Sequence, residues 1–154
     1  RELPGVVDHY FSIPDIQRAL IAIFDVLIDL NQYANEMAPW KMVSEEPKGS
    51  GNFKVKDPAR HSTILYILME GLRICGILLS PVLPETAPKM FDQLGVPADL
   101  RTGIDAMAFG KMKAGTALGP NSEVLFVKDE EFRVQPKKNP KKKAGAAAEE
   151  EGKK

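Results

Sequence analysis

The chain has 154 residues, 44% hydrophobic and 27% charged, with 21 Lys and Arg against 21 Asp and Glu. This is ordinary globular composition at the size of one domain. The neutral sum hides an asymmetry: seven lysines and three glutamates lie beyond residue 135, which leaves 14 basic and 18 acidic residues before it, so net charge argues neither for nor against an anionic partner.

The opening Arg1-Glu2-Leu3-Pro4-Gly5 carries charge and a turn pair where a signal peptide would need an apolar stretch. With no initiator Met, the expectation is a processed or partial chain whose N-terminal helical partner lies outside it. A first amphipathic helix is predicted from about Ile13 to Met37, with Ile13, Ile16, Leu20, Ile23, Leu27, Leu30 and Ala34 in alternating steps of three and four. Ser12 is the expected N-cap, with Pro14 in the first turn and Asp15 near the positive helix end. Pro39 stops the helix by removing an N–H and disfavouring helical geometry at Ala38.

Residues 44–56 contain Pro47, Gly49, Ser50, Gly51 and Asn52 and are predicted as a polar loop without regular structure. Asp57 then caps a second long helix that has Pro58 at its first position and ends near Leu79, before Pro81. That helix is apolar enough to raise a transmembrane reading. Its nine Leu and Ile residues, at roughly −0.5 kcal/mol each, do not offset Glu70 and Arg73 at about +3 kcal/mol each, so the centre of a soluble bundle is the better expectation. A short helix from Pro84 or Glu85 to Leu94 closes at Gly95. Residues 96–135, broken by Gly and Pro, are predicted to be extended and to pack back on a neighbour, with one strand-like run from Val124 to Val127. The Lys-rich stretch 136–154 lacks large apolar residues and should be disordered; its lysines could add non-specific attraction to RNA or simply solubilise the chain. The fold class expected is all-α, a helical bundle, and two long helices with one short one leave apolar faces that need further cover.

No pattern of catalytic residues emerges. One cysteine, Cys75, excludes an intramolecular disulfide framework and fits a reducing compartment, and with His9 and His61 it forms no metal-ligand cluster. Asp25 and Asp29 read as a solvated stripe, Glu70 and Arg73 as an ion pair that fixes register, and Cys75 as inert packing. His61 reads as a surface or capping residue. Gly110-Lys-Met-Lys113 reads as a surface turn rather than a phosphate contact. Trp40, directly after Pro39, has two readings: a plug for the bundle end, or a proline-stiffened platform on which an unpaired base stacks, worth roughly 1–3 kcal/mol per base. Lys41, Lys48, Lys54 and Lys56 follow it and could reach phosphates, although Glu45 and Glu46 dilute their charge.

Asn31-Gln-Tyr33 followed by Ala38-Pro-Trp40 resembles the signature that ends a helix in the anticodon-binding domain of the methionyl-tRNA synthetase family. Leu65-Tyr66, Glu70-Gly-Leu-Arg-Ile74, Leu78-Leu-Ser-Pro81, Pro84 and Gln93-Leu-Gly95 resemble the helices that follow. Ala114-Gly-Thr-Ala-Leu-Gly119 with Leu125-Phe126 resembles the segment that returns toward the catalytic core. The likeness runs in order over about 13–127. It implies a C-terminal portion divided into a helical anticodon-binding bundle (1–95), a return segment (96–135) and a tail (136–154). It further implies that Trp40 stacks on an anticodon base of methionine tRNA and that Pro39 shapes its pocket. The family's other base readers and its nucleotide-binding catalytic domain are expected before Arg1. Lys111-Met112-Lys113 has a superficial likeness to the family's second ATP-binding signature, but it lacks the Ser-Lys continuation and lies beyond the anticodon motif.

The expected function is therefore anticodon recognition within a ligase that activates methionine with ATP and charges its tRNA. No catalytic or metal-binding residue falls on this chain, and ATP with magnesium is implied for the full enzyme only. Expected partners are methionine tRNA and the upstream catalytic domain, with no membrane and no DNA, in the cytoplasm or an organellar matrix. The alternatives are a helical protein-interaction module without tRNA binding, or the equivalent domain of another class I synthetase.

Overall fold

The computed structural model describes residues 3–119 and 124–126. In chain order the elements are α1 (Leu3–Ser12), α2 (Ile16–Met37), a 3-10 turn (Pro39–Met42), β1 (Val43–Glu45), β2 (Phe53–Val55), α3 (Pro58–Leu79) and α4 (Thr86–Leu94). Two further 3-10 turns follow, Ala98–Leu100 and Asp105–Met107. The fold is a helical bundle, as the periodicity predicted.

The N-terminal boundary differs from the expectation. Ser12 does not cap α2; it ends α1, where its hydroxyl donates to the His9 carbonyl (2.7 Å). Asp15 is the N-cap instead, its carboxylate accepting from the Arg18 N–H at 3.1 Å. The physical reason is Pro14, which keeps Ile13 out of helical geometry and so divides one periodic stretch into two helices. Ile13 and Ile16 consequently leave the inward stripe and are half exposed, whereas Ala19 and Ile23 are fully buried. Val7 of α1 packs into the same cluster and supplies part of the cover that two long helices lacked.

At the start of α3 the sequence reading and the structure agree. Asp57 accepts from the Arg60 N–H (3.0 Å), and Pro58 occupies the first turn. This helix is central. Ile74, Cys75, Leu78 and Leu79 join Val7, Ala19 and Ile23 in one core; Ile77 joins Ala87, Phe91, Val96, Ala106 and Met112 in a second. By length and composition alone α3 could cross a membrane, but half of that stretch is buried inside the protein, largely in these two cores. Gly76 allows α4 to approach, because a Cβ there would collide with Met90 and Phe91.

The segment 44–56 is not wholly irregular. Val43–Glu45 and Phe53–Val55 form an antiparallel hairpin in the register Val43↔Val55, Ser44↔Lys54 and Glu45↔Phe53. Valine and phenylalanine suit a strand, and the breakers are confined to the connection, where Gly49 and Gly51 adopt positive φ. The Glu45 carboxylate accepts the Gly51 N–H at 2.7 Å, and the amides of Gly49 and Gly51 hold its pKa below the ordinary value.

Residues 96–119 are held to α3 by a buried ion pair. Glu70 and Arg73 have no exposed side-chain surface and meet through Arg73 Nη2 and Glu70 Oε2 at 2.9 Å. Arg73 also donates to the carbonyls of Leu100 (3.3 Å), Ala106 and Ala108 (2.9 Å). Glu70 accepts the N–H groups of Gly110 (2.8 Å), Lys111 (3.4 Å) and Met112 (2.7 Å). The i,i+3 pair therefore does more than fix helix register: it replaces regular secondary structure as the partner of this segment's backbone. Farther on, Gly95 closes α4 at φ +66, and the Gly119 N–H donates to the Gln93 carbonyl (2.9 Å). A Cβ at Gly95 would meet the Ala117 carbonyl oxygen, and one at Gly119 the Asp92 carbonyl oxygen. Val124–Phe126 do not form the expected strand, having no ladder partner among the described residues; Val127 and the tail 136–154 lie outside them.

Candidate nucleic-acid interface

The Ala38-Pro39-Trp40 sequence forms an abrupt corner. Ala38 adopts the left-handed conformation (φ 42°, ψ 59°), and its N–H donates to the Ala34 carbonyl at 2.9 Å to close α2. The chain then enters the 3-10 turn, where the Lys41 N–H donates to the Ala38 carbonyl (2.9 Å). A left-handed alanine costs about 1–2 kcal/mol, and strain of this kind concentrates where a side chain must be aimed. Here Ala38 and Pro39 are buried, while Trp40 is 56% exposed.

That exposure bears on the plug reading of Trp40. A plug would bury the indole, and neither core cluster contains it. Trp40 is instead a surface ring on a turn fixed from below by Pro39. The last turns of α2 beside it are polar: Asn31 and Asn35 are exposed, and Asn35 donates to the Asn31 carbonyl at 2.9 Å. Arg60, in the first turn of α3, comes within 4.0 Å of Met37 Sδ at the end of α2.

The lysines predicted to follow Trp40 are all on the surface. Lys41, Lys48, Lys54 and Lys56 are exposed, and only Lys54 is ion-paired among the described residues, at 3.9 Å from Glu46. That pair is solvent-exposed on both sides and contributes little. One residue escaped the sequence reading altogether. Phe53 lies in the stretch predicted as loop, yet it stands on β2 with 71% of its surface exposed.

Asp25 and Asp29 are exposed on α2, and His61 is half-buried near the start of α3. Burial pushes the Cys75 thiol up to about 11. The amides of Gly110, Lys111 and Met112 already face a carboxylate, that of Glu70, which leaves no cradle for a phosphate there. Among the described residues no group of His, Cys, Asp or Glu is arranged to hold a metal ion.

A methionyl-tRNA synthetase ("methionine--tRNA ligase") of Caldanaerobacter subterraneus is 37% identical over 126 residues, covering 82% of this chain and 18% of that enzyme. The mitochondrial methionine--tRNA ligase of Takifugu rubripes is 32% identical over 152 residues, covering 95% of this chain and 24% of its own length. In three dimensions the chain matches the free form of Mycobacterium tuberculosis methionyl-tRNA synthetase with a TM-score of 0.66 at 33% identity, over 87% of this chain and 24% of that one. The chain belongs with the methionyl-tRNA synthetases. No protein-family model matches it. It spans about one fifth of the length of the curated relatives it matches. A second M. tuberculosis synthetase structure, bound by methionyl-adenylate, matches with a TM-score of 0.63 over 22% of its length. The synthetase likeness thus rests on both sequence and fold, over a segment in which Trp40 is presented to solvent.

Proposed function

We propose that this chain is the anticodon-recognition part of a methionyl-tRNA synthetase, with Trp40 as the stacking surface for an anticodon base and Pro39 shaping the pocket beneath it. The observation that carries this reading is the exposed indole on a rigid corner: buried Pro39, left-handed Ala38 and the closed end of α2 fix the backbone while the ring stays free. Stacking of one unpaired base on such a ring contributes about 1–3 kcal/mol and requires no base-specific hydrogen bond. The exposed lysines add phosphate attraction that is independent of sequence.

In this reading the chain positions tRNA. Activation of methionine with ATP and magnesium, and transfer to the tRNA, belong to the catalytic domain of the same enzyme. The partners are methionine tRNA and that domain, and the setting is the cytoplasm or an organellar matrix. The division of labour follows the same lines: bundle 1–95 for the anticodon, 96–135 for the return toward the catalytic domain.

The test replaces Trp40 with Ala and measures binding to methionine tRNA and to a tRNA differing only in its anticodon. Selective loss of methionine tRNA affinity with helicity retained is the expected result. Unchanged affinity would sink the proposal and favour a protein-interaction module, for which Ile21, Phe24 and Ile28 on α2, each exposed by half or more, offer an apolar stripe.

A further inference from the structure

We propose that the β1–β2 hairpin is a second RNA-stacking element, in which the Phe53 ring takes an unpaired base of the same tRNA loop that Trp40 engages. This inference rests on the tRNA-binding reading of Trp40 and adds to it a residue and a structural element.

Phe53 is the most exposed aromatic side chain among the described residues, and it belongs to neither core cluster. The register explains why. Residues paired across a ladder share a face, so Val43 and Val55 lie on one side of the hairpin with Glu45 and Phe53 beyond them. The valines are half-buried, whereas the phenylalanine one row farther out is bare. An apolar row thus continues past the point where the bundle covers it.

The backbone that carries the ring is also held in place. Its cross-strand partner Glu45 is anchored to the Gly51 amide, the Glu46 N–H donates to the Asn52 carbonyl at 3.0 Å, and the Lys56 N–H donates to the Met42 carbonyl at 2.9 Å. That last bond joins the residue following β2 to the turn that carries Trp40. Three residues of 3-10 turn at about 2 Å each and two of strand at about 3.3 Å put the Phe53 row no more than about 13 Å along the chain from Trp40. A few stacked nucleotides, at about 3.4 Å per step, span that length.

Charge favours RNA as the occupant. Four lysines, at 41, 48, 54 and 56, stand against three carboxylates, Glu45, Glu46 and Asp57, of which Glu45 and Asp57 accept backbone amides. Lys41, Lys48 and Lys56 have no ion-pair partner among the described residues. A solvent-facing aromatic among uncommitted cations matches the combination by which unpaired nucleotides are held.

The experiment uses the whole 154-residue chain and a hairpin RNA bearing the anticodon loop of methionine tRNA, with 2-aminopurine placed at each loop position in turn. F53A is expected to weaken binding roughly 5- to 100-fold. It should restore fluorescence at a loop position different from the one released by W40A. F53W should recover both affinity and quenching; F53L should recover neither. Full binding by F53A alongside weak binding by W40A would overturn the hairpin's role and leave the Trp40 reading intact. Full binding by both variants would overturn both. An equal loss for F53A on a fully paired RNA hairpin, or full recovery by F53L, would show contact without base stacking and overturn the proposal. Phe53 lies outside both cores, so the variants should keep wild-type helicity.

Discussion

Replacing Glu70 with Gln removes a charge and almost no volume, which isolates what the buried carboxylate does. In the native chain its two oxygens accept from Arg73 Nε (3.2 Å), Arg73 Nη2 (2.9 Å) and the amides of residues 110–112. Glutamine offers one acceptor oxygen and turns an NH2 toward groups that are themselves donors. One set of contacts is lost, and the Arg73 guanidinium remains buried without its counter-charge. The first effect costs about 1–3 kcal/mol and an uncompensated buried charge about 3–5 kcal/mol; the two overlap, so a loss of about 3–5 kcal/mol is expected. Against a total stability on the order of 5–15 kcal/mol, this is a large fraction. The double variant E70L/R73M separates charge from connectivity. Apolar replacement of a buried ion pair is often neutral, but here the carbonyls of Leu100, Ala106 and Ala108 and the amides of Gly110, Lys111 and Met112 all lose a partner. It should therefore stay destabilised by about 2 kcal/mol or more. The pH dependence has a definite sign. Burial pushes the Glu70 carboxyl up, but Arg73 and the Met112 and Gly110 amides outweigh it and hold the group below its ordinary value. The unfolded chain then takes up the proton first as the pH falls. Stability from this group is complete above about pH 4.3 and is lost as the pH drops through the lowered folded value. Urea unfolding followed by helical circular dichroism, near neutrality and in acid, measures both effects. A wild-type midpoint for E70Q at neutral pH would refute the reasoning.

Two further predictions concern the core and the end of α4. Cys75, 1% exposed and with its thiol pushed up to about 11, should resist disulfide-exchange reagents near pH 8 in the folded chain and react promptly in denaturant; rapid labelling without denaturant would contradict its burial. Gly95→Ala must place a Cβ at φ +66 against the Ala117 carbonyl oxygen. It should cost more than the roughly 1–2 kcal/mol of left-handed strain alone, with a melting temperature several degrees lower; an unchanged melting temperature would show that 117–119 moves aside freely.

The parts of the fold written in local chemistry were legible in the sequence. Asp57-Pro58 marks the start of α3 and Gly95 the end of α4, because caps depend on neighbours within a few residues. Pro14 misled because proline fits the first turn of a helix as well as a break between two, and Asp15 made the break the better choice. The hairpin was hidden by its connection: seven residues rich in Gly and Pro outweighed two three-residue strands too short to show alternation. The backbone partners of Glu70 lie forty or more residues away, a separation at which spacing carries no signal. The i,i+3 rule could foresee the pair, not the segment it holds.

The residues that carried the family resemblance divide by what packing explains. Gly71 lies against Leu30, Tyr66 donates its hydroxyl hydrogen to the Met112 carbonyl at 2.9 Å, Glu70 and Arg73 clamp 100–112, and Gly95 and Gly119 let α4 meet the returning chain. Each would be needed for the fold whatever the bundle did. Trp40 has no such explanation. More than half of the largest side-chain type lies in solvent, on a corner that holds Ala38 in a strained conformation and buries Pro39. A chain selected only for stability would gain by relaxing that corner or by replacing the indole with a polar group. Retaining both is understandable if the ring's partner arrives from outside, and Phe53, bare on a hairpin that begins three residues later, meets the same argument.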